Sequence, residues 1–207
     1  MAPLDTETAR TRLLDAAEEL FYARGIQAAS MGELRDAAGL PLRRIYQLFP
    51  SKDELIVAFL RRRHERMMAA IEERVAAAGT PEERVLAIFA HLDGWFREPS
   101  FRGCPWTNAY SELGPTNAAV AAEVDHHELA LRALVTRIVL DAGYDPEMAD
   151  VIYLLVAGSV TTAGIQQSLD AALQARRGVQ MLLAGGGGAA TSGRGATRSP
   201  AARARRA

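Results

Sequence analysis

Arg43, Arg44, Tyr46 and Gln47 crowd into one short segment, with the apolar residues Ile45 and Phe49 interleaved among them. On a helix that spacing turns the long hydrogen-bonding side chains one way and the apolar pair the other. Arginine forks match guanine edges and glutamine matches adenine in a major groove about 12 Å wide. Arg43, Arg44 and Gln47 are therefore candidates for reading DNA, while Ile45 and Phe49 look inward.

A second group is aromatic. Phe89, Trp95, Phe96, Phe101, Trp106 and Tyr110, including both tryptophans, cluster in a chain whose aromatic content is only 6%. Pockets for small apolar or cationic ligands are lined this way. Phe89, Trp95, Phe96, Trp106 and Tyr110 are expected to line such a pocket, with Glu112, Asn108 and Tyr153 as polar anchors. Ordinary core packing is the alternative for any one of them.

Cys104, His126 and His127 could be cast as a nucleophile and bases. No Gly-rich phosphate loop, nucleophile elbow or HExxH pattern accompanies them, so no catalytic residue is assigned and an enzyme is not expected. Glu123 lies one helical turn before His127, but adjacent histidines point about 100° apart on a helix and share a metal ion poorly. A surface or dimer-face role is expected for the pair. Neither metal nor cofactor is assigned.

The elements that position these groups read as all-α. Leu13, Leu14, Ala17, Leu20 and Phe21 recur at helical spacing between Thr6 and Arg24, and Gly25 supplies the stop. Capping boxes at Ser30 with Glu33, Ser51 with Glu54 and Thr80 with Glu83 open three further helices. Two short helices, about 30–38 and 41–48, flank a break at Gly39 and form a tri-helical unit with the first. A long helix is expected from Ser51 to about Ala78, then helices near 81–97, 104–113, 116–142, 146–167 and 169–183, the fourth of these announced by Asp145 and Pro146.

The stretch "SMGELRDAAGLPLRRIYQLFPSKDEL", from Ser30 to Leu55, closely resembles the signature of the TetR family of regulators. It has a capped helix, an Ala-Gly turn, a recognition helix ending in Tyr-x-x-Phe, and a Ser-Lys-acid-acid-Leu opening to the linker helix. With "RTRLLDAAEELFYARG" before it, the resemblance covers about Arg10 to Leu55. It implies a helix-turn-helix head, a helical body that dimerises and senses a small molecule, and phosphate contacts from Ser30, Tyr46 and Lys52. Pro41, Arg43, Leu48 and Arg35 depart from the family pattern, so base preference cannot be borrowed from relatives.

The segment 151–165, "VIYLLVAGSVTTAGI", has no charged residue, and a helix apolar all round must be buried on all sides. A second subunit is the expected cover, with Gly158, Thr161, Thr162 and Ile165 at the interface; a central place within one chain is the alternative. The resemblance implies a four-helix bundle built with the symmetry mates.

The expected organisation is a DNA-binding domain over 1–50, a ligand-binding and dimerisation domain over 51–184, and a disordered tail over 185–207 carrying Arg194, Arg198, Arg203, Arg205 and Arg206. A net charge of −1 confines any basic surface to local patches. No apolar run approaches the roughly 20 residues that span a bilayer, and "MAPLDTETARTR" lacks the apolar core of a secretion signal, so a cytoplasmic protein is expected. The expected function is a one-component regulator, a repressor released from a palindromic double-stranded DNA operator by a small-molecule effector. The alternative is a helical binding or dimerisation module that has lost DNA recognition.

Overall fold

A computed structural model of the chain describes residues 4–186. Those residues form nine α-helices and no strand: α1 (Thr6–Arg24), α2 (Met31–Ala38), α3 (Leu42–Leu48), α4 (Lys52–Ala77), α5 (Pro81–Phe96), α6 (Pro105–Leu113), α7 (Ala118–Asp141), α8 (Pro146–Gln166) and α9 (Ala171–Gly186). The all-α expectation holds.

Local chemistry sets most starts. Asp5 accepts from Thr8 N at 2.9 Å ahead of α1, and Ser30 and Thr80 close capping boxes with Glu33 and Glu83. Ser51 caps α4 through Glu54 N, and Asp145 caps α8 through Met148 N ahead of Pro146. α7 starts at Ala118 because the Asn117 side chain accepts from Ala119 N and Val120 N, two residues later than the sequence suggested. Gly39 ends α2 at φ 61°, a left-handed conformation that a Cβ disfavours. α3 starts after Pro41 with no side-chain cap.

Two apolar cores divide the molecule. One joins α1–α3 to the first turns of α4 through Leu55, Ile56, Phe59 and Leu60, and reaches Trp106, Ala109, Val120 and Val124 in α6 and α7. The other packs the end of α4 with α5, the later part of α7, α8 and α9. The head core therefore does not stop near position 50 but is completed by the body. Full burial of each large side chain contributes roughly 1.5–3 kcal/mol, which gives the head a rigid seat.

Gly185 and Gly186, assigned to the tail from sequence, prolong α9. The rest of that tail, with its arginines, lies outside the described residues. By length and composition alone α8 could cross a membrane, although it holds no unbroken apolar run of that length.

Candidate DNA-reading surface and ligand cavity

α3 is held by its apolar side. Ile45 is fully buried and Phe49 is nearly so, with the Arg10 guanidinium 4.4 Å above the Phe49 ring. This leaves Arg43, Tyr46 and Gln47 exposed, as their spacing predicts. Arg44 is half-buried: its Nη2 donates to Thr6 Oγ1 at 2.8 Å and its Nη1 to Gln47 Oε1 at 3.4 Å. The start of α1 thus steadies one candidate base reader while Arg43 stays in no ion pair among the described residues.

Two residues expected at phosphates have internal work. The Ser30 hydroxyl accepts from Glu33 N at 3.2 Å and donates to Glu33 Oε2 at 2.9 Å, so its proton is held in the capping box. Lys52 Nζ donates to Ile26 O at 2.5 Å and to Gln27 O at 3.3 Å, in the turn before α2. Partial burial lowers the Lys52 pKa against the pull of Glu112, Asp53 and Glu33.

Glu112 corrects an expectation. It is not a wall of the main cavity; its Oε1 accepts from Ile26 N at 3.0 Å and its Oε2 from Gln27 N at 2.7 Å. The reason lies in helical geometry. Trp106 and Tyr110, four residues apart, share a face of α6, whereas Glu112 lies about 200° round from Tyr110. A Cβ on Gly25, at φ 88°, would lie 3.2 Å from Glu112 Oε1, so the latch also depends on that glycine.

An apolar, aromatic-walled cavity of about 480 Å³ opens between α4, α5, α6, α7 and α8. Of the residues expected there, Trp95, Trp106 and Tyr110 line it. Phe89 and Phe96 instead fill the body core, with Phe96 and Trp95 both packed on Phe101. Tyr153 stands behind the wall, its hydroxyl donating to Glu128 Oε2 at 2.6 Å, and Asn108 binds Arg102 O at 3.1 Å instead of serving the cavity. Met67, a methionine suited to core or pocket lining, also lines the cavity, as do Asp125, His127, Glu128, Val156 and Thr161, which were not assigned to it from sequence.

His127 is a second correction. Expected at a surface or dimer face, it is buried, stacked on Trp106 at 3.4 Å between ring centroids, with its Nδ1 2.9 Å from His64 Nδ1. It falls on the inward stripe of α7 with Val120, Glu123, Val124 and Leu131, while His126, about 100° away, stays exposed. Burial, then the neighbouring His64 and His126, push the His127 pKa down to about 3, so it is neutral at pH 7. Glu123 is buried and pairs with Arg61 at 2.8 Å. Among the described residues no group of three or more His, Cys, Asp or Glu is placed to hold a metal ion.

α8 is not buried on all sides within one chain. Ile152, Val156, Val160 and Ala163 face the core, whereas Gly158, Thr161 and Ile165 are exposed and Thr162 is half-buried. Val151 and Leu154 extend the exposed face, and Met181 on α9 is 74% exposed.

A family model described as "Bacterial regulatory proteins, tetR family" matches residues 13–59. The HTH-type transcriptional activator FasR of Mycolicibacterium smegmatis is 32% identical over 163 residues, 77% of this chain and 73% of its own length. An HTH-type transcriptional regulator of Mycobacterium tuberculosis is 37% identical over 81 residues, but the match spans only 39% of this chain and 40% of that relative. The fold matches the crystal structure of a TetR-family transcriptional regulator from Streptomyces coelicolor with a TM-score of 0.78 at 24% identity, covering 87% of this chain and 96% of the other. These relatives are named for transcriptional regulation and not for catalysis.

Proposed function

The chain belongs to the TetR family of bacterial regulatory proteins, and from that premise we propose that it is a cytoplasmic, homodimeric DNA-binding regulator whose affinity for its operator is set by a small molecule. The observation that carries the reading is the two-sided α3, with Ile45 and Phe49 buried beneath exposed Arg43, Tyr46 and Gln47. Residues 1–50 act as the reading head, with Arg43, Arg44 and Gln47 at base edges and Tyr46 and Lys52 at phosphates. Ser30 contributes chiefly as the cap that sets the angle of α2. Residues 51–184 act as the sensing and pairing body.

Two-fold pairing through α8 and α9 would cover Leu154, Gly158, Thr161, Ile165 and Met181 and place two heads on a palindrome. The cavity at Trp95, Trp106 and Tyr110 supplies the effector site. α6 carries both that wall and the Glu112 latch on the head, and α4 carries both Met67 and the start of the linker. An effector that shifts α6 and α4 changes head spacing, and couplings of about 1–3 kcal/mol suffice for release.

Repression follows if the operator overlaps the promoter; FasR, by its name an activator, has the opposite sign. Footprinting on the DNA upstream of the chain's own gene tests the reading. Two protected half-sites one helical turn or a multiple apart are expected, and their position relative to the promoter fixes the sign. Absence of protection would move the chain to the reading of a dimerisation or binding module without DNA recognition.

A further inference from the structure

Charge in the cavity has one sign. Asp125 and Glu128 line its wall three residues apart on α7, and among the described residues no lysine or arginine lines it. His127 is neutral, because burial holds its pKa down to about 3, and burial also keeps the Cys104 thiol protonated.

The nearby guanidinium groups are committed elsewhere. Arg132 pairs with Asp150 at 2.7 Å, Arg61 with Glu123 at 2.8 Å, and Arg63 with Glu18; the Arg63 guanidinium also lies 5.7 Å from the centroid of the Trp95 ring, beside a separate recess and not on the cavity wall. Glu128 is oriented and in no ion pair among the described residues: one oxygen accepts from the Tyr153 hydroxyl, whose pKa is pushed up to about 12 by burial, so the phenol keeps its proton. Two carboxylates one turn apart repel, and a bound cation relieves both.

The rest of the wall is apolar and aromatic. Trp95 and Trp106 line it, one face of Trp106 being covered by the His127 ring, and Met67, Leu131 and Val156 add aliphatic contact. We propose that this cavity takes an organic cation, its apolar body against Trp95 and Trp106 and its positive nitrogen beside Glu128 and Asp125. The proposal rests on the reading of the cavity as the effector site and adds the chemical class of the ligand. A neutral apolar ligand leaves the two carboxylates without a counter-charge, and an anionic one meets like charge, so the wall favours a cation over both.

Both tryptophans of the chain line the cavity, so intrinsic fluorescence reports its occupation. The test titrates the full chain with benzyltrimethylammonium and with neopentylbenzene, an isostere in which carbon replaces the charged nitrogen. The cation is expected to bind roughly tenfold tighter or better. In Asp125→Asn with Glu128→Gln that preference should fall towards unity while thermal melting is unchanged. Asp125 alone is exposed, so Asp125→Asn serves as the milder variant, and the isostere comparison on the native chain needs no variant at all. Equal binding of the two compounds, or tighter binding of the neutral one, overturns the cation assignment and leaves the effector cavity standing. No fluorescence response to the cation up to about 1 mM, nor to the hydrocarbon up to its solubility limit, overturns both.

Discussion

Gln27 and Glu112, 85 residues apart, are joined by two hydrogen bonds: Gln27 N donates to Glu112 Oε2 at 2.7 Å and Gln27 Nε2 donates to Glu112 O at 2.5 Å. The pair ties the turn between α1 and α2 to the end of α6. Lys52 holds the carbonyls of the same turn, so its N–H groups are taken by the body and its C=O groups by the linker.

Glu112→Ala should loosen the head without emptying a core position. Two backbone N–H groups, those of Ile26 and Gln27, lose their acceptor, one of them partly buried. A loss of roughly 1–3 kcal/mol in urea unfolding is expected, together with a weaker effect of effector on operator affinity. Unchanged stability and unchanged coupling would show that the latch is ornamental.

Acid should destabilise the fold earlier than carboxylate titration alone requires. Burial, aided by Arg74, holds His91 down to about 4, and burial holds His127 at about 3, against 6.5 for a free histidine. Between these values the unfolded chain binds protons that the folded chain does not. Stability is therefore full above about 6.5 and falls as pH drops, by up to about 1.4 kcal/mol per pH unit for each histidine. Urea unfolding at several pH values between 7 and 4.5 should show this slope, less steep by one histidine's share in His91→Leu. A pH-independent midpoint across that interval contradicts it.

Arg43→Ala and Lys52→Gln should separate base reading from backbone contact. Arg43 projects from α3 unpaired, so its loss should relax preference at one base position per half-site, at a cost of roughly 1–3 kcal/mol. Lys52→Gln should weaken all sequences alike and reduce the salt slope by about 1 per head. Selection of binding sites from a randomised pool checks both variants; the same site profile and salt slope for the two would remove the distinction.

What sequence revealed and what it hid follow from the range of the interactions involved. Helix starts at Ser30, Thr80 and Asp145 were legible because the capping partners lie three residues away. The sidedness of α3 was legible for the same reason. The uses of Glu112 and His127 were not, because each depends on how a helix is rotated against a partner far along the chain. Phe89 and Trp106 look alike in sequence, yet only Trp106 reaches the cavity, and it also belongs to the core shared with the head. The uncharged run in α8 announced a need for cover without saying that Val151, Leu154, Gly158, Thr161 and Ile165 face outward.

Gly158→Arg should break pairing without disturbing the single chain. Nothing lies within 4 Å of where a Cβ at Gly158 would sit, so the substitution is harmless inside one copy. Against a second α8 it buries an unpaired charge, which is strongly destabilising. A folded monomer with weakened operator binding is expected by light scattering and circular dichroism. A dimer of native operator affinity would place the interface elsewhere.

Whether α3 reads DNA is decided by the affinity of the native chain for its upstream operator against random duplex, measured by fluorescence anisotropy from about 50 to 200 mM salt. Operator binding roughly a thousandfold or more tighter than random DNA is expected at physiological salt, with a steep loss of affinity as salt rises. Equal affinity for operator and random duplex, or no binding at the lowest salt, would contradict it.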